Sequence, residues 1–164
     1  MNIMIFWDIF VNSIKLPNVQ AMKRLNKVGM DFTVFYMFIL LFIASVPSFL
    51  EQLFGSTGPD LEISFFFFIL YFFMFFYLPF VIIIFGVLSL LAYIAVIITE
   101  MVNRKLRFPI LWKLMAYTTT IPLLLYTTIA LFYDFSMIYL GLTAIYSLTL
   151  VIIMILSFPR RRTK

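Results

Sequence analysis

The chain has 164 residues, 65% of them hydrophobic and 20% aromatic, with 12 Lys and Arg against 7 Asp and Glu for a net charge of +5. A soluble domain is about 45–50% apolar with roughly a quarter of its residues charged, so this composition excludes a water-soluble globule and, being the opposite extreme, a disordered chain. The sequence has neither Cys nor His, which removes disulfides, thiol nucleophiles, thiolate metal sites and the commonest general base; an all-α polytopic membrane protein is the expected fold class.

The first ten residues do not read as a cleavable signal. Asp8 interrupts the apolar stretch, no base precedes it, and no small-residue cleavage site follows. Ile3, Phe6, Phe10 and Ile14 recur at helical spacing, with Asp8, Asn12 and Lys15 on another face. That pattern predicts an amphipathic helix in the cytoplasmic interface. Pro17 ends it, and 18–28 predicts a second short helix carrying Lys23, Arg24 and Lys27, with Gly29 as its stop. Residues 1–30 are thus expected to form a cytoplasmic interfacial segment, and 31–164 a transmembrane domain.

A membrane helix needs about 20 mostly apolar residues. The stretches 32–50, 114–133 and 137–158 fit directly, flanked by Asp31 and Glu51, by Lys113 and Asp134, and by Pro159 with Arg160, Arg161, Arg162 and Lys164. The stretch 64–101 is too long for one crossing, reaching roughly 57 Å as a single helix. Charge decides how to count it. Lys15, Lys23, Arg24 and Lys27 form one basic group; Arg104, Lys105, Arg107 and Lys113 a second; the C-terminal run a third. Counted as one span, the stretch makes with 32–50 two crossings between the first two groups and puts every base on the cytoplasmic side, as the positive-inside bias requires. Splitting the stretch would export the last two groups. Four spans are expected, the second at 80–101, with both termini cytoplasmic.

Residues 64–79 then become an outer extension, tilted or lying along the interface, and bent at Pro79. The tract 65–77 has 10 aromatics in 13 residues. It reads either as an interfacial belt or, through Phe65, Phe68, Phe72 and Phe76, as a contact for a partner subunit or lipid.

Helical wheels gather polar and small residues into stripes: Thr33, Tyr36, Ala44, Pro47, Ser48 and Glu51 on the first span; Gly86, Ser89, Tyr93, Glu100 and Asn103 on the second. Tyr117, Thr120 and Thr128 align on the third, and Ser136, Tyr139, Thr143, Tyr146 and Ser147 on the fourth. Such stripes face other helices in membrane bundles, which predicts a four-helix bundle with Tyr36, Ser89, Tyr93, Thr120, Thr128, Thr143 and Tyr146 inside. The interior reads either as packing or as a pathway; no ionisable residue sits at mid-membrane depth, where relays keep one. Asp31, Glu100, Asn103 and Arg104 are expected at the cytoplasmic face, where Glu100 and Arg104 have the spacing of a helical ion pair, or where the carboxylates form a functional cluster. The run Thr118-Thr119-Thr120-Ile121-Pro122 marks a kink, with Pro122 and Pro79 as candidate hinges. No catalytic dyad, metal set, phosphate loop or cofactor motif is present. The bases flank spans, so nucleic acid is not an expected partner.

Two segments, SIKLPNVQAMKR at 13–24 and LRFPILWKLMAYTTTIP at 106–122, resemble an uncharacterised bacterial membrane family, a domain of unknown function sometimes labelled maltodextrin-utilisation proteins and similar in layout to Yip1-like membrane proteins. In that family a larger extracytoplasmic segment follows the first span; here the loop 51–64 and the Phe tract stand in its place. The resemblance implies the cytoplasmic membrane of a Gram-positive bacterium and brings no catalytic residues. The expected function is that of a non-enzymatic accessory or scaffold, binding membrane lipids and a membrane-protein partner or a second copy of itself. The alternative is a small carrier or channel for a lipid or solute.

Overall fold

A computed structural model describes residues 3–54, 65–104, 106–132 and 138–158, and every regular element among them is helical. In chain order these are α1 (Ile3–Ile14), α2 (Val19–Lys27), α3 (Met30–Phe54), α4 (Phe65–Phe72), a π-helical turn (Phe73–Tyr77), α5 (Leu78–Met101), α6 (Phe108–Thr118), α7 (Thr120–Ala130) and α8 (Ile138–Ser157). The sequence features at the loop 55–64, with Asp60 and Glu62, and at Lys105, Asp134, Ser136, Pro159 and the C-terminal run 160–164 lie outside the described residues.

Three stretches are long and apolar enough to cross a membrane: Met30–Phe54, Phe65–Met101 and Phe108–Ala130. The first and third reach about 37 and 34 Å at 1.5 Å per residue, a match to a hydrocarbon core of about 30 Å. The 20 residues of α8 include a shorter described apolar stretch, Gly141–Ser157. The helical class and membrane-crossing lengths are those the composition implies.

The centre of the fold is α6. Residues 111–120 are buried without a break, the mark of a helix covered on every side. Its neighbours are α1, α2, α3, α5, α7 and α8. Along the other side of α3 run α4, the π-turn and α5. Phe49 packs on Phe68 and Phe72 with ring centroids 5.5 and 4.9 Å away, Phe42 on Tyr77 at 5.8 Å, and Phe38 on Phe85 at 5.4 Å. As α3 descends in number its partner ascends, so the two are antiparallel.

This register changes the reading of 64–79. The described part of that tract lies beside α3 instead of extending beyond it. Phe68 and Phe72, expected to meet a partner or lipid, are buried within the chain against Phe49. Phe65 is exposed and Phe76 half-buried. A long rigid run of rings gains more apolar burial by lying in the α3 groove than by spreading along an interface. A π-turn stands just before Pro79, where the bend is expected. Pro79 has no N–H for the Phe75 carbonyl, and the Leu78 N–H reaches Phe73, one residue further back than in an α-helix.

The amino-terminal helices dock on this body. Asn18 starts α2, its side chain accepting from the Gln20 N–H. The stop is Val28, in extended conformation; Gly29 instead supplies the carbonyl for the first turn of α3. Ile9, Asn12, Ser13 and Leu16 face the protein core, so the buried side of α1 includes Asn12, which the spacing assigns to the polar side. Both Asn12 and Ser13 spend their donors on carbonyls four residues back, Asp8 and Ile9, which is what lets them be buried.

Candidate functional site

The polar residues that meet in the core are hydroxyls. Thr33 Oγ1 lies 2.6 Å from the Tyr117 hydroxyl, and the Tyr36 hydroxyl 2.9 Å from Thr120 Oγ1. Proton counting orients the first pair. Thr33 gives its one hydrogen to the Gly29 carbonyl at 3.1 Å, so Tyr117 donates to Thr33. Ser13 adjoins the Tyr36 hydroxyl from α1. All five side chains are buried, and the Tyr36 and Tyr117 rings sit 6.1 Å apart. The cluster thus joins α1, α3, α6 and α7.

It forms where the central helix is interrupted. Pro122 offers no N–H to the Thr118 carbonyl, and its ring crowds it. The helix breaks at Thr119, which is a turn residue between α6 and α7. Thr118 and Thr119 turn their hydroxyls onto the carbonyls of Met115 and Ala116 at 2.8 and 2.7 Å. Thr120, spared that role, is left to bond Tyr36. The Pro122 carbonyl accepts from the Tyr139 hydroxyl of α8 at 2.6 Å.

A cation sits below the hydroxyls. Lys113 is buried, and its Nζ donates to the carbonyls of Asn26 and Val28, each at 2.9 Å. These are the open carbonyls at the C-terminal end of α2, where the helix dipole is negative. From sequence Lys113 reads only as a charge flanking a span. Its place in a C-terminal cap of another helix has no local sequence signal.

The other expected interior residues separate into two groups. Ser89 is half-buried and accepts from the Trp112 Nε1–H at 3.1 Å. Thr143 is half-buried and bonds the Tyr139 carbonyl of its own helix. By contrast Tyr93 is 63% exposed, and Thr128 and Tyr146 also lie on the outer surface. These three do not line the bundle. Thr128 satisfies its hydroxyl on the Leu124 carbonyl at 2.9 Å, so it needs no neighbouring helix.

The residues expected at the cytoplasmic face are also differently engaged. Asp31, Glu100 and Asn103 are exposed. Helix α5 ends at Met101, so the helical spacing that would pair Glu100 with Arg104 is lost. Asn103 adopts φ 55, its N–H bonds the Glu100 carbonyl, and the Arg104 N–H reaches back to Thr99 at 2.9 Å. That is a Schellman cap with Asn103 at the left-handed position. The Arg104 side chain turns to α8 and donates to the Leu156 carbonyl at 3.0 Å.

Among the described residues no group of Asp, Glu, Cys and His is arranged to hold a metal ion. Compared with protein-family models, curated proteins and solved structures, the chain matches none.

Proposed function

We propose that this protein is a four-span integral membrane protein of a bacterial cytoplasmic membrane, with both termini in the cytosol, acting without chemistry of its own as an accessory that binds partner membrane proteins or lipid. One observation carries the reading. The hydroxyls of Thr33, Tyr36, Tyr117, Thr118, Thr119 and Thr120 spend their hydrogen bonds on one another or on their own helices, which supports a packed core over a conducting one. The outer surface meanwhile keeps Phe65, Phe66, Phe67, Tyr71, Met74 and Phe75 exposed along a single helical run. Aromatic side chains offer large contact area at small entropic cost. The fourth crossing is α8, and its count rests on the one-sided distribution of bases.

The test is gentle solubilisation from native membranes, followed by measurement of particle mass and composition. A particle holding a second copy or another membrane protein, diminished by Phe66→Ala with Tyr71→Ala, supports the reading. A strict monomer with nothing co-purifying contradicts it.

The break at Thr119 within the central helix favours a second reading, a small carrier that flexes there. Flux through reconstituted liposomes that falls in Thr120→Val supports it, and the lack of any flux removes it.

A further inference from the structure

Helix α1 is apolar on two sides. One side, with Ile9 and Ser13, is buried in the body. The other leaves Met4 82% and Trp7 66% exposed. Trp7 leans on Phe10 at 5.8 Å, and Phe6 meets Phe32 of α3 edge-on at 6.4 Å. Phe32 and Phe35 begin the exposed apolar face of α3, so the outer side of α1 continues the surface that α3 presents to lipid. The same hairpin carries Lys15, Lys23, Arg24 and Lys27, all exposed, against one exposed acid, Asp8. The hairpin is also fixed in place, because Ser13 abuts Tyr36 while Lys113 holds the end of α2.

We propose that the α1–α2 hairpin is a binding surface for anionic phospholipid, with Met4 and Trp7 in the acyl-chain boundary and the four cations on the headgroup phosphates. Three features favour this occupant over a protein. The exposed apolar patch is continuous with a membrane-facing helix, the hairpin's charge is complementary to an anionic leaflet, and a hairpin that carries an exposed Trp together with exposed Lys and Arg has the composition of a membrane-surface element. The proposal rests on membrane residence as argued above, and adds the segment that reads lipid charge.

The chain has two Trp, and the second, Trp112, is only 4% exposed, so contact quenching from the acyl chains reports on Trp7. The full protein is reconstituted into vesicles with brominated acyl chains, either zwitterionic or containing an anionic lipid, and Trp emission is read alongside co-flotation. Quenching is expected in the wild type and lost in Trp7→Phe. It should be about twofold stronger in anionic vesicles, with the excess removed by Lys23→Gln/Arg24→Gln/Lys27→Gln. High salt should remove the same excess in the unmodified protein, which keeps the test sound if the triple variant misfolds. Co-flotation without Trp7 quenching overturns the proposal while leaving membrane residence intact; failure to float counts against the residence itself. Quenching indifferent to headgroup charge, or an excess that survives high salt, also overturns it.

Discussion

Tyr36 and Thr120 are held 2.9 Å apart, and Thr33 and Tyr117 2.6 Å apart, both pairs separated by 84 positions in the chain. A constant offset at two successive turns means that α3 runs parallel to α6 and α7 in register. Antiparallel contact with α4–α5 on the other side completes the alternation. Parallel first and third apolar helices with an antiparallel one between them are what a serpentine of single crossings has, whatever its total number.

Removing the Tyr36 hydroxyl with Tyr36→Phe should destabilise the fold by about 1 kcal/mol, the scale of interhelical hydrogen bonds in membranes. Thr120→Val should cost a similar amount, and the double variant should cost less than the sum, because the two share one bond. Tyr93→Phe, at an exposed position, should leave stability unchanged. Denaturation in mixed detergent measures all four.

Lys113→Met removes the donor from the carbonyls of Asn26 and Val28 and should loosen α2. Ala21 is 3% exposed on the buried side of α2, and the chain has no native Cys. Ala21→Cys should therefore resist a thiol reagent alone and react readily when combined with Lys113→Met. Equal labelling in both backgrounds would mean that apolar packing alone holds α2.

The cap after α5 makes a claim about backbone. Asn103→Gly should be neutral or mildly stabilising, because glycine accepts φ 55 without a Cβ penalty. Asn103→Val should cost about 1–2 kcal/mol. Glu100→Gln should change stability little, since Glu100 is exposed and Arg104 is bound to Leu156. Thermal unfolding of the three variants separates a capping role from an ion pair.

The sequence revealed more about the spans than about what lies between them. Length and apolarity located the helices because lipid leaves no other spanning backbone available. The Thr-Thr-Thr-Ile-Pro run located the interruption because Pro122 must break a bond wherever it sits. Wheels placed Tyr36 and Thr120 correctly among the buried hydroxyls, yet put Tyr93, Thr128 and Tyr146 inside as well. Polarity is a weak guide here, since a Thr that bonds its own backbone can face lipid and a Tyr can do so near the interface. Lys113 was invisible for another reason: its partners are carbonyls of a distant helix, which every sequence supplies. Phe68 and Phe72 differ from Phe65 only in which side of one helix meets Phe49, and a tract of uniform rings carries no such distinction.

Four crossings and the cytoplasmic placement of every base underlie the proposed function. Single cysteines at Ser56, Leu106 and Ser136, labelled on intact cells with an impermeant thiol reagent, test that topology directly. Labelling at Ser56 and Ser136 with protection at Leu106 is the predicted pattern. A Leu106 cysteine that reacts from outside would place the second basic group beyond the membrane and contradict the topology.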